Sequence, residues 1–225
     1  MQRQESVSRF PWQRCERSKN VGSPAEPAMI WADTADGKST AAPGASGNCP
    51  ACGGDLIAKC GTIVSWHWAH KTCDCDHWSE PESEWHLDWK RKFPQKFQEV
   101  TIGPHRADVL CPKGVIEFQK SSISATEIQE RENFYGRMVW VVWAGDWCLQ
   151  HRRGSSKQAP RFVWSPPRKS WFAARKPLFI DLGGDCLLRI KKMDRTLPIW
   201  LDCQAIKKSW LISSWSTTPP PPTTP

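Results

Sequence analysis

The chain has 225 residues, 39% of them hydrophobic, and a formal net charge of +8. This is apolar matter for one sizeable core, or a core with a small satellite, and it excludes a scaffold held by disulfides alone. The longest apolar run, 138–144, spans seven residues against about 20 needed to cross a bilayer. With no signal-peptide stretch in the polar N-terminus, no membrane span is expected, and a cytoplasmic, reducing location is.

Residues 1–27 are polar and interrupted by Gly22, Pro24 and Pro27, so they read as a disordered extension, with Met29 an alternative start. The segment 28–78 opens with a short strand, an Asp36-Gly37 turn and a Gly/Ala/Ser loop that delivers the chain to Cys49. From Cys49 to His77, five Cys and three His stand among few aliphatic residues. A metal is the expected staple there, because so little apolar matter cannot fold by burial. Cys49 and Cys52 at C-x2-C spacing, then His67 and His70 at H-x2-H, suit a closed tetrahedral structural Zn2+ site. Cys73, Cys75 and His77 follow closely and could replace a ligand or build a second site, whereas Cys60 reads as buried.

Residues 79–149 carry a second unit. In ESEWHLDWKRKF, Trp85, Trp89 and Phe93 recur every four residues, and Glu82, His86 and Lys90 form a second stripe, which predicts an amphipathic helix. The second stripe is either an exposed ladder of i,i+4 pairs or a functional face. Three extended runs, 97–102, 105–111 and 115–120, predict an antiparallel meander. Ser124 with Glu127 three residues later opens another helix that Gly136 stops. The run 139–143, VWVVW, predicts a buried central strand. Beyond it, 150–215 holds 14 Lys/Arg against 4 Asp/Glu, while the preceding 149 residues hold 17 against 19. That region is expected to be a small basic β-rich appendage with strands near 177–182 and 186–191, and 216–225 a disordered Pro/Thr tail. The basic excess suits either a nucleic-acid backbone or a solubilising surface.

Asp108 and Glu117 fall in neighbouring strands of the meander, and alternation puts Glu117 and Gln119 on one face with Phe118 on the other. Two carboxylates across a hairpin can hold Mg2+ or Mn2+, hard cations that prefer oxygen ligands, although such a pair can equally face solvent. Arg106 shares the strand face of Asp108, as a phosphate contact or a partner of Glu117. Glu127 and Arg131, four apart on a helix, are expected to pair with each other outside this site.

CPACGG, HWAH, ESEWHLDWK, RADVL and VIEFQKSSIS, taken in this order over about residues 28–147, resemble the CoiA-like competence nuclease family. The resemblance implies an α/β (α+β) fold with a restriction-endonuclease-like core of the PD-(D/E)XK type, preceded by a zinc element. It makes Asp108 and Glu117 the Mg2+ ligands, puts Gln119 where an active-site lysine usually stands, and places Glu82, His86 and Lys90 on a helix facing the metal. The implied activity is metal-dependent cleavage of DNA, with a DNA-processing or recombination role. The alternative is a non-catalytic nucleic-acid-binding protein on a degenerate nuclease scaffold.

Overall fold

The computed structural model describes residues 29–62, 65–72, 75–78, 83–145, 149–152, 161–165, 168–194 and 199–217. The expected N-terminal extension, Cys73, Glu82 and all of the Pro/Thr tail past Thr217 lie outside the described residues.

The N-terminal part is a five-stranded sheet: β1 (Trp31–Thr34), β2 (Gly37–Thr40), β3 (Ser46–Asn48), β4 (Asp55–Lys59) and β5 (His67–His70), in the order β2-β1-β3-β4-β5. Ala35 and Asp36 make the β1–β2 turn, one residue earlier than the expected Asp36-Gly37 pair, and Gly37 opens β2 at φ 96°, a conformation that favours glycine. Met29, Ala32, Leu56 and Trp68 form its small core.

There follow α1 (Glu84–Lys90), the meander β6 (Gln98–Ile102), β7 (His105–Cys111) and β8 (Gly114–Gln119), then α2 (Ala125–Tyr135) and β9 (Met138–Trp143). The local signals act as predicted: the Ser124 side chain accepts from the Glu127 backbone N–H, and α2 ends at Gly136 with φ 63°. Strand β9 pairs parallel to β8, and β8 is buried on both faces. Helix α1 covers one face through Trp89, whose ring stacks on Phe118 with centroids 5.3 Å apart. Helix α2 covers the other through Ile128, which shares a core with Val115, Trp140 and Val142.

The C-terminal strands are β10 (Leu149–Arg152), β11 (Arg161–Trp164), β12 (Leu178–Asp181), β13 (Cys186–Asp194) and β14 (Ile199–Lys207). They do not stand apart as the sequence suggested. β12 pairs parallel to β9, so one nine-stranded sheet runs β10-β11-β14-β13-β12-β9-β8-β7-β6. Helix α3 (Lys208–Ser216) is an addition that the β-rich reading missed. Its buried Leu211 joins Trp89, Phe93 and Phe118 on the α1 face. Asp181, fully buried in β12, locks this face: one oxygen accepts from the indoles of Trp85 and Trp89 at 2.9 and 2.8 Å and from Lys208 Nζ at 2.9 Å.

Candidate metal centre and carboxylate site

In the N-terminal sheet, β5 is the HWAH segment, so alternation sends His67 and His70 to opposite faces. The predicted pairing of both imidazoles on one metal therefore fails. His67 Nδ1 instead bonds the Ser65 carbonyl at 2.7 Å. Cys75 replaces it: the ligand atoms of Cys49, Cys52, His70 and Cys75 all lie within 4.8 Å of one another. Cys49 Sγ and Cys75 Sγ are 3.7 Å apart, and Cys52 Sγ and His70 Nε2 are 3.4 Å apart. A tetrahedron with bonds of about 2.3 Å to sulfur has edges near 3.8 Å, so three thiols and one imidazole fit a structural metal such as zinc. Without an ion, burial and the neighbouring Cys49 push the Cys75 thiol up to about 12. Metal binding at this cluster must therefore displace a proton.

The residues after Cys75 clamp the second unit. Asp76 accepts from His105 Nδ1 at 2.9 Å and from the Arg106 backbone N–H at 2.8 Å, both on β7. Those bonds, with one from the Trp78 N–H, hold its carboxyl below the usual range despite burial. The Trp78 ring stacks on His105, and the Trp78 carbonyl accepts from Arg131 on α2. Asp76, His77 and His105 also bring ligand atoms within 4.8 Å of one another, but both Asp76 oxygens already accept the bonds just described.

Past Val109 and Ile116, the last regular pair between β7 and β8 on this side, the two strands part and the predicted carboxylates replace the ladder. Phe118 N–H donates to Asp108 Oδ2 at 2.8 Å, and Asp108 N–H donates to Glu117 Oε1 at 3.2 Å. Lys90, one turn after His86 on α1, reaches the same place: its Nζ lies 3.0 Å from Asp108 Oδ1 and 3.0 Å from Glu99 Oε1. The second stripe of α1 is thus an inward face, with His86 and Lys90 both buried. His86 Nδ1 lies 3.3 Å from the Ser83 N–H and 2.8 Å from the Ser83 hydroxyl. Gln119 is buried, with its amide near the Ser121 hydroxyl at 3.2 Å, and Lys120 is exposed just past the strand end.

Two participants escaped the sequence reading. Glu99 sits at φ 49°, a left-handed conformation costing about 1–2 kcal/mol for a residue with a Cβ. Its carboxylate accepts from Ile30 N–H at 2.8 Å, Trp31 N–H at 3.2 Å and Lys90, tying the N-terminal sheet to the core. A signal for it existed: the two-residue turn at Gly103 and Pro104 pairs Ile102 with His105, which sets Glu99 opposite Asp108. Arg131 is the other. It pairs with Glu127 as expected, yet its Nη1 also holds Glu117 Oε2 at 2.9 Å, so it belongs inside the site. No spacing in the sequence marks that contact.

Four carboxylates, Glu99, Asp108, Glu117 and Glu127, here meet two cations, Lys90 and Arg131. Burial disfavours ionised Asp108, but Lys90 outweighs it and holds the carboxyl below its ordinary range. Glu117 shows the charge imbalance: burial and the adjacent Asp108 push its carboxyl up to about 8 against the pull of Arg131.

The chain is similar to competence protein CoiA of Bacillus subtilis. The two are 30% identical over 135 residues, a match covering 52% of this chain and 36% of that protein. The chain thus aligns with about a third of its relative's length. No protein-family model and no solved structure matches it. No helix among the described residues is long and apolar enough to cross a membrane.

Proposed function

We propose that this chain is a metal-dependent phosphodiesterase that cleaves DNA, with a role in DNA processing or recombination of the kind the relative's name, competence protein, suggests. The observation that carries this reading is the convergence of Asp108 and Glu117 where β7 and β8 separate. The order α1, three-strand meander, α2 and a strand parallel to β8 supports a restriction-endonuclease-like core of the PD-(D/E)XK type.

Asp108 and Glu117 would hold Mg2+ or Mn2+, which when bound lowers the pKa of a water and neutralises charge on a phosphate. Lys90 orients Asp108 through its 3.0 Å contact, and Arg131 orients Glu117 through its 2.9 Å contact. Gln119, on the same strand and face as Glu117, stands where the family's lysine would, and His86 backs Lys90 one helical turn away. The zinc cluster braces the site from outside, since Asp76 and Trp78 directly follow Cys75.

Purified protein incubated with single- or double-stranded DNA and Mg2+, Mn2+ or chelator tests the reading. Cleavage is expected with a divalent cation and not with Asp108→Ala or Glu117→Ala; equal cleavage by wild type and both variants overturns it. The second reading, a DNA-binding protein without hydrolysis, draws on Gln119 in the lysine's place and on the Arg131–Glu117 pair. It wins if wild type and variants bind DNA alike and none cleaves.

A further inference from the structure

Aromatic rings gather where the last turn of α2 meets the start of β7. The Trp78 and His105 rings stack on each other. Phe134 stands beside that stack, nearly perpendicular to both rings, with its centroid 4.8 Å from His105 and 5.6 Å from Trp78. His77 flanks the stack as well, at 5.4 and 5.6 Å from the same two rings. The stacked pair is buried, whereas His77 is exposed and Phe134 is 40% exposed. We propose that Phe134 is a platform on which one unpaired nucleobase of a DNA strand stacks, so that the carboxylate site is presented with single-stranded DNA. The assignment rests on the reading of DNA as the substrate and names the form of DNA that the site takes.

A single exposed apolar side chain is ordinary on a protein surface. Phe134 differs because its neighbours hold it in place. Besides His105 and Trp78, the Tyr135 ring lies 5.2 Å away, and a Cβ built on Gly103 in the β6–β7 turn would come within 3.5 Å of it. A ring ordered in this way loses little freedom when a ligand covers it. Its flat face suits a flat partner, and every base has such a face, which makes stacking indifferent to sequence. The stack beside it also carries an unmet donor. Trp78 Nε1 is buried and has no acceptor among the described residues, a cost that an acceptor on a bound ligand would offset. A nucleobase brings both features, a π-face and acceptor atoms along its edge.

The platform is continuous with the carboxylate site. One guanidinium joins them: Arg131 donates to the Trp78 carbonyl and, at 2.9 Å, to Glu117 Oε2. The same guanidinium lies 5.5 Å from the centre of the Trp78 ring. Phe134 follows Arg131 by three residues on α2, about 4.5 Å along the helix axis. A strand whose phosphate lies at Glu117 can therefore place a nearby base on Phe134. In a duplex the bases are paired and stacked on one another, and laying one on Phe134 first costs its extrusion from the helix. An unpaired strand meets no such cost.

The test uses the full chain in divalent-free buffer with fluorescein-labelled probes: a short mixed-sequence single strand, an abasic strand of the same length, and the corresponding duplex. Phe134→Ala and Phe134→Leu should each bind the single strand about 5- to 150-fold more weakly than wild type, the worth of one base–aromatic stack. Phe134→Trp should keep wild-type affinity. Leucine retains an apolar side chain of similar size at this exposed position, so its loss reports the π-face and not the fold. The abasic strand and the duplex should bind wild type and all three variants alike. Wild-type affinity of both Phe134→Ala and Phe134→Leu for the single strand overturns the proposal. An equal loss on the abasic strand, or a wild type that binds the abasic and intact strands equally, does the same. The nuclease reading fails separately: with Mg2+ or Mn2+ the wild type would cleave neither strand nor duplex while Phe134→Leu still lost base-dependent affinity.

Discussion

Lys90→Met tests whether the ion pairs that join α1 to β6 and the middle of β7 hold this fold together. In the native protein the Lys90 side chain is 4% exposed and lies 3.0 Å from two carboxylate oxygens, on Glu99 (2% exposed) and Asp108 (20% exposed). Methionine keeps the volume and removes the charge, leaving two carboxylates facing each other. Breaking a buried pair from one side costs about 3–5 kcal/mol. The lower end applies here, because Glu99 keeps its two backbone donors and Asp108 reaches water. For a chain of this size, about 3 kcal/mol corresponds to a fall of about 6–12 °C in Tm. The pH dependence adds a signature. In wild type the Asp108 carboxyl lies below its ordinary range, so its contribution is present at neutral pH and fades only as pH drops through that lowered value. In the variant burial acts without Lys90, which raises the carboxyl, so acidification from pH 7 toward 5 should stabilise the variant by more than it stabilises wild type, where Glu117 already carries a raised carboxyl. Thermal melts by circular dichroism across this range, with Lys113→Met as a control, measure both effects. A Tm within about 2 °C of wild type at pH 7 would refute the reasoning.

The metal cluster makes a sharp distinction: His67→Ala should retain zinc, and Cys75→Ser should lose much of its affinity, as measured by metal content after dialysis against a weak chelator. Glu117→Gln separates charge from shape. Its wild-type carboxyl is pushed up to about 8 in protein free of Mg2+, so wild type should lose stability relative to Glu117→Gln as pH rises from about 4.5 to 8, in urea titrations. A constant difference across that window contradicts the environment described for Glu117. Burial raises the Cys111 and Cys203 thiols to about 11 and about 12, while Cys186 is exposed. Native protein alkylated at pH 8 should be labelled at Cys186 and protected at Cys111 and Cys203 until denatured, as read by peptide mass analysis.

The Cys3His cluster and the carboxylates share one mechanical path. Cys75 belongs to the cluster, Asp76 is bonded to β7, and Trp78 is bonded to the arginine that holds Glu117. Local order in the metal lobe is thereby linked to the aim of two side chains on different elements of the core.

Much of this was written in short-range signals. The tryptophan stripe of α1, the Ser124 cap, the Gly136 stop and the turn after β6 act within a few residues, so sequence alone located α1, α2 and the meander and set Asp108 beside Glu117. The exchange of His67 for Cys75 was beyond it, because C-x2-C and H-x2-H spacing does not reveal that the histidines lie on a strand, whose alternation parts them. The contacts of Glu99 with Ile30 and Trp31 join residues almost seventy positions apart, and Arg131 reaches Glu117 from a different element. No periodicity encodes such pairs; they exist only once the sheet is assembled and both faces are packed. The same holds for the C-terminal region. Its composition announced basic charge, but only the pairing of β12 with β9 placed it in the main sheet.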